Sequence, residues 1–256
     1  FIMEIIVLSE IFIDNAKCLS ERMGIPITRQ IEKPIHYIVF GGHINPFFLI
    51  QLQERCKCKF ILLNSEHHNA SCFTNKYYLQ LLKDNYVFDY LPDNIIWLKE
   101  TFNINVLGYF YFEFTKQTGT DIRPIDILFI GSKNNERQRV ETNIKKQNPY
   151  LTVEFIYPDN FTDITKLLLS AKSVLNIPYY NNNVETHRIN QAMACGCDVV
   201  SYKFNQMDML YQDYITFTND YETLLNKPKK NYSEFIDSQQ ENIYTHFIWA
   251  INMIIN

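Results

Sequence analysis

The stretch KSVLNIPYYNNNVETHRINQAMACGCDVVSY, residues 172–202, decides how the rest of the chain is read. Its spacing predicts strand, loop, helix, glycine turn and strand. Residues 173–177 form an apolar, β-leaning run that stops at Pro178. Residues 179–183 are a loop of aromatics and amides, and residues 184–195 carry helical spacing. Gly196 stands where a helix C-cap is expected, and residues 197–202 predict a second apolar strand. Such a β-loop-α-β unit is right-handed and builds a parallel sheet with both faces covered.

The chemistry follows from where the polar residues fall. Glu185, Arg188 and Gln191 make one i, i+3, i+6 row along the predicted helix, with Ile189, Ala192 and Met193 on the adjacent buried face. Glu185 stands at the helix N-terminus, beside the loop leaving the strand's carboxyl end. Open α/β sheets bind ligands there, and free backbone N–H groups attract phosphate. The same spacing also serves structure alone: Glu185 favours the helix dipole and pairs with Arg188 one turn on.

Outward from this unit, strands and helices alternate along the whole chain. Predicted strands cover residues 2–8, 36–40, 60–63, 87–90 and 105–114, with helices over 12–23, 46–56, 76–85 and 92–102. A polar stretch at 115–124, TKQTGTDIRP, reads as a linker. The cycle then restarts with strands at 126–130, 152–157 and 214–218 and helices at 137–147, 163–171 and 233–254. This alternation predicts two Rossmann-like α/β domains, residues 1–118 and 119–256, with a cleft between them.

Composition narrows the options. The 256 residues are 46% hydrophobic with a net charge of −4, so a broad nucleic-acid surface is not expected. The six cysteines lack zinc-ribbon or C-x-x-C redox spacing and read as free thiols in a reducing, cytoplasmic setting. His67, His68 and Cys72 lack a fourth ligand, so no metal site is expected. No targeting or transmembrane segment is read. Richness in Asn, Ile, Lys and Tyr points to an AT-rich genome, viral or otherwise.

The second half holds a second signal, DILFIGSKNNERQR at 126–139. A strand enters a Gly131-Ser132 turn and then a helix bearing Arg137. Gly131 allows close backbone approach, Ser132 supplies a hydroxyl, and Lys133 or Arg137 can meet a diphosphate. In one sheet this turn and the 172–202 unit project from the carboxyl ends of parallel strands and converge.

These residues resemble a family. DILFIGS with a downstream Arg, AKSVLNIPYY, the E-x-x-R-I-N-Q-A run and G-C-D-V-V-S are similar to the C-terminal domain of nucleotide-sugar-dependent glycosyltransferases of the GT-B fold. LNSEHHN, YLQLLKDNYVFDYLPDNIIWLKE and VLGYFYFEF match the first domain more loosely, so the likeness runs from about residue 60 to about 205. It implies two Rossmann-like domains facing across a cleft, with the last helix crossing back onto the first. It implies a UDP- or GDP-linked sugar donor on the C-terminal half, no cofactor and no metal, and a glycan or other hydroxyl acceptor on the N-terminal half. Gly131, Ser132, Asn134 and Arg137 would line the diphosphate. Asn176, Tyr179 and Tyr180 would flank the nucleotide, Glu185 would meet sugar hydroxyls, and Gln191 would face the ribose. Thr186, Arg188 and Asn190 complete the substrate-binding set. Arg137 and Lys133 would stabilise the leaving diphosphate with backbone amides 184–186. An inverting enzyme also needs an acceptor-side base, and Glu66, His67 and His43 lie at predicted strand ends on that side, where each equally serves structure or solvation; a retaining enzyme needs none.

Four positions depart from the family pattern: Pro178 for a His, Gln191 for the ribose carboxylate, Tyr202 for a Glu and Glu136 for the first paired arginine. They bear on donor choice and turnover. The alternatives are therefore a GT-B-like nucleotide- or sugar-binding scaffold without turnover, and a different two-domain Rossmann binder such as a nucleotide-dependent epimerase. The absence of G-x-G-x-x-G argues against a dinucleotide enzyme.

Overall fold

In β3 (His36–Phe40), the successive residues Tyr37, Ile38 and Val39 are all fully buried. A strand with both faces buried needs cover on both sides, and that is the setting of a parallel sheet flanked by helices. The same pattern recurs in both halves of the chain. The computed structural model describes residues 3–119, 122–158, 162–180, 185–202, 211–218, 234–235 and 245–255. Residues 181–183 of the predicted loop, residue 184 at the start of the predicted helix, and residues 233 and 236–244 of the predicted closing helix lie outside the described residues.

Two compact units result, the first from residues 1–114 with 239–256 and the second from residues 115–238. The first is built from β1 (Met3–Val7), α1 (Ile13–Met23), β2 (Ile27–Thr28), β3, α2 (Pro46–Cys56), β4 (Lys59–Asn64), α3 (Lys76–Asp84), β5 (Tyr86–Asp89), α4 (Pro92–Phe102) and β6 (Val106–Tyr109). Its six strands run parallel in the order β2-β1-β3-β4-β5-β6. The chain steps from β1 to one side, then recrosses to lay β3 on the other. The gap between β1 and β3 is thus the topological switch point.

The second unit contains β7 (Ile125–Ile130), α5 (Asn135–Gln147), β8 (Val153–Ile156), α6 (Ile164–Leu169), β9 (Ala171–Asn176), α7 (Thr186–Ala194), β10 (Asp198–Tyr202) and β11 (Thr216–Thr218). Its order, β11-β10-β9-β7-β8, repeats the same moves starting from β7, so its switch point lies between β7 and β9. Phe129, Ile144, Leu175 and Ile177 are essentially inaccessible in the core beneath it. Each such side chain contributes about 1.5–3 kcal/mol by leaving water.

The closing helix α8 (Thr245–Ile255) belongs to the first unit. Phe247 meets Phe88 edge-on at 4.8 Å and Ile251 is fully buried. The described residues thus form two parallel α/β units, with the closing helix returning to the first. The sequence divides the chain at 118/119, in its polar stretch, whereas the second unit begins at Thr115 and the first regains residues 239–256.

One predicted strand is shorter than read. Residues 105–114 alternate as a strand should, but β6 stops at Tyr109. Its partner β5 ends at Asp89, whose carbonyl accepts from the Phe110 amide at 3.1 Å. Beyond that point β5 offers no further backbone to pair with, and Phe110, Phe112 and Phe114 are buried without a ladder. The two-residue β2 has too little pattern to be read at all.

Candidate functional site

The turn after β7 and the start of α7 meet at the switch point of the second unit. Asn134 caps α5, its side chain accepting from the Arg137 amide at 2.8 Å, as a helix-starting Asn does. That cap sets Arg137 in the first turn, aimed at the end of β9. There Arg137 is only 1% exposed. Its Nε and Nη2 donate to the Ile177 carbonyl at 3.0 and 2.7 Å, Nη1 to the Ser132 carbonyl at 2.6 Å, and Nη2 to Glu185 Oε1 at 2.8 Å. Four of five guanidinium N–H groups are thereby engaged within the protein. Burial pushes its pKa down to about 10, against the pull of Glu185.

Arg137 therefore holds the loop in place, and the guanidinium with solvent access is Arg188. It pairs with Glu185 one turn back on α7. Its Nη1 lies 3.4 Å from Asn176 Oδ1 and 3.4 Å from the Ile177 carbonyl. Both guanidiniums lie over the Phe129 ring, at 4.9 Å for Arg137 and 5.2 Å for Arg188. Glu185 bridges them and also accepts from the Tyr179 amide at 2.6 Å. The result is an Arg-Glu-Arg triad with one net positive charge at a helix N-terminus.

Gly131 is what lets the triad form. A Cβ there would lie 2.8 Å from Arg188 Nη2, 2.9 Å from Phe129 Cζ and 3.2 Å from Arg137 Nη1. The convergence of the two sequence signals is thus present in the fold.

The remaining predicted residues divide clearly. Ser132, Lys133 and Tyr179 are exposed, with Lys133 Nζ 5.7 Å from the Tyr157 ring centre. Tyr180 is half-buried and lies edge-on to Tyr179 at 5.1 Å. Asn176 is buried and donates to Ser201 at 2.9 Å, while Asn190 is buried and accepts from the Tyr211 hydroxyl at 2.8 Å. Thr186 is buried and Gln191 half-buried. Asn190 and Thr186 are therefore placed to hold α7, not to reach solvent.

The first unit carries its own polar cluster at the carboxyl ends of β3, β4 and β5. His43 Nε2 lies 3.3 Å from Glu66 Oε1. Burial pushes Glu66 up to about 7 and His67 down to about 4. Behind them Asp89, fully buried, is pushed up to about 7 by desolvation. It accepts from Asn64 Nδ2 at 2.5 Å, the Leu91 amide at 2.9 Å and Asn94 Nδ2 at 3.1 Å.

Sequence reading missed this Asn64–Asp89–Asn94 network. Its signal was two amide- or acid-bearing strand ends falling opposite each other, since Asn64 and Asp89 are cross-strand partners. It also missed Arg123, which donates to the carbonyls of Ala171 at 2.6 Å and Cys195 at 2.7 Å and pins the amino end of β9. Among the described residues no group of three or more His, Cys, Asp or Glu is arranged to hold a metal ion. No helix among them is long and apolar enough to cross a membrane.

No family model and no curated protein matches this chain. Solved structures do. The chain is similar to a "Glycosylation Associate Protein (Gap123) complex from Streptococcus agalactiae", at 14% identity and TM-score 0.46, covering 94% of this chain and 54% of that one. It is similar to TarM at 13% identity and TM-score 0.45, covering 92% and 52%. It is similar to a GtfA/B complex at 9% identity and TM-score 0.41, covering 92% and 56%. The chain thus spans about half the length of each.

Proposed function

We propose that this chain is a GT-B glycosyltransferase that moves a sugar from a nucleotide-sugar donor to a hydroxyl acceptor without a metal. The observation that carries this reading is the β7/β9 crevice. A glycine floor, a solvent-reaching Arg188 and the N-terminus of α7 come together where α/β sheets bind ligands. A diphosphate placed there meets a cation and free helix amides, and those groups stabilise charge as a leaving group departs. Glu185 and Arg137 act by fixing Arg188. The exposed Tyr179 ring supplies a flat face for a base, and Gln191 offers an amide to a ribose hydroxyl. The six free cysteines fit a reducing compartment such as the cytoplasm.

Thermal shift with UDP, GDP, CDP, dTDP and ADP, each with and without magnesium, tests the reading, because a ligand of the folded state raises its stability. One responding base without a magnesium requirement is expected. Arg188→Ala then weakens that nucleotide by about 1.5–3 kcal/mol, the size of a charged hydrogen bond. Silence across the panel in the wild type sinks the proposal.

A second reading is binding without turnover. It is favoured by Arg137, whose guanidinium is engaged internally, and by Gln191 standing where the resemblance expects a carboxylate. Nucleotide binding with no donor hydrolysis would select it.

A further inference from the structure

The Arg-Glu-Arg triad of the second unit is not symmetrical. Glu185 divides its two oxygens between unlike partners. Oε1 accepts from Arg137 Nη2 at 2.8 Å and from the Tyr179 amide at 2.6 Å. Oε2 pairs with Nη2 of Arg188. Arg137 is 1% exposed and is also anchored on the Ile177 and Ser132 carbonyls, so the Oε1 side is fixed. Arg188 is 16% exposed, and its contacts with Asn176 Oδ1 and the Ile177 carbonyl are both long, at 3.4 Å. The Oε2 side is the one that can open.

An anion approaching Arg188 therefore meets a carboxylate already in place. Glu185 is the N-cap residue of α7, yet its side chain makes no cap hydrogen bond and turns to the two arginines instead. A guanidinium that already serves one anion serves a second less well. Two like charges about 4 Å apart weaken an equilibrium about fivefold in bulk water, and more at a half-buried surface. The penalty grows with the ligand's charge. A nucleotide sugar is a diphosphate diester without a terminal phosphate. The free nucleoside diphosphate has one, and it takes a further negative charge above about pH 6.

We propose that Glu185 is the specificity-determining residue of this crevice: its carboxylate competes with the ligand's phosphate for Arg188, and so selects the diphosphate diester of a nucleotide sugar over the more highly charged free nucleoside diphosphate. This rests on the donor reading above. On binding, Arg188 turns from Oε2 to a phosphate oxygen, while Oε1 keeps Arg137 and the Tyr179 amide. The product of transfer carries the extra charge, so Glu185 favours its release. The same carboxylate holds Arg188 in position before the donor arrives.

Two measurements on the full chain test this. The first compares affinities at pH 8 for three probes: inorganic pyrophosphate, the nucleoside diphosphate whose base responds in thermal shift, and the glucose ester of that diphosphate. Glu185→Gln keeps an acceptor oxygen for Arg137 and Tyr179 and removes the charge. It is expected to tighten pyrophosphate and the nucleoside diphosphate about tenfold and the ester by less. Comparing each probe between variant and wild type cancels how well glucose itself fits. A purely structural Glu185 gives the opposite sign, because the loop loosens and all three probes weaken together. An equal change in all three, in either direction, or no change in any, overturns the proposal.

The second measurement needs no change at Glu185. Arginine side-chain NMR of the wild type is followed as pyrophosphate is added to saturation, with Arg188 assigned through Arg188→Lys. The Arg188 guanidinium signals are expected to shift while those of Arg137 stay. Movement of both arginines together, or of neither, overturns the proposal. A wild type that binds no nucleotide overturns the donor reading and the selectivity with it. A wild type that binds nucleotide, with Glu185→Gln treating the three probes alike, overturns the selectivity alone.

Discussion

At the gap between its first and third strands, the second unit places two guanidiniums and a carboxylate over a phenylalanine ring. The first unit, with the same strand order, fills that gap with Leu8 and Ile44. There the Cβ that Gly41 lacks would touch Ile44 Cδ1 at 3.3 Å and Leu8 Cβ at 3.5 Å. Its ionisable groups lie one strand over, above β3, β4 and β5. The strand order is the same in both units, and side-chain choice places charged groups at one switch point and apolar ones at the other. The two clusters also differ in kind. The triad of the second unit is cationic and locked by hydrogen bonds. The groups of the first are acids and imidazoles pushed toward neutrality by burial.

The largest test of this contrast is Arg137→Ala. It removes four hydrogen bonds, leaving Glu185 to Arg188 and the Tyr179 amide and the Ile177 carbonyl to Arg188 alone, and losing one partner of a buried pair costs about 3–5 kcal/mol. Both tryptophans, Trp97 and Trp249, belong to the first unit. The loss is therefore expected in the far-ultraviolet circular dichroism transition of urea unfolding and not in tryptophan fluorescence. Equal shifts in both probes would show that the triad's stability is shared between the units.

Asp89→Asn probes the first unit in the same way. Asp89 binds its proton more tightly folded than unfolded, so its stabilising effect is full below about pH 4 and is lost as pH rises to about 7. A shift from 3.8 to about 7 corresponds to about 4 kcal/mol across that window. The variant is expected to lose most of that slope in tryptophan-monitored unfolding at pH 4.5 and 8. A slope equal to wild type would place the proton elsewhere.

The smallest expected effect is Gly131→Ala. Its new Cβ needs Arg188 and Phe129 to shift, costing about 1–3 kcal/mol in the second unit. Because Arg188 moves, nucleotide affinity falls with it. A fall in stability with affinity intact would mean that Arg188 is not the ligand's partner.

Much of this was legible in the sequence because it rests on spacing. The Glu185–Arg188 pair is an i, i+3 relation, and the predicted buried face of Ile189, Ala192 and Met193 is buried. The Gly131 turn and the 172–202 unit come together because parallel strands put their carboxyl ends on one side. Direction of a side chain was not legible. Arg137 read as a free cation, yet it turns inward because the strand-end carbonyl of Ile177 has no ladder partner and draws its fork. Asp89 falls inside the predicted strand 87–90, but only the register of β4 against β5 shows that it faces Asn64. The end of β6 was hidden for the same reason: alternation of apolar residues persists after the neighbouring strand has stopped.

The return of α8 to the first unit also sets an order of events during synthesis. Residues 115–238 form a continuous segment and can close their core as soon as they leave the ribosome. The first unit waits for Phe247 and Ile251, which are made after the whole of the second. The nascent chain therefore completes the later-translated unit first, and until α8 docks, the aromatic edge of Phe88 lacks its cover.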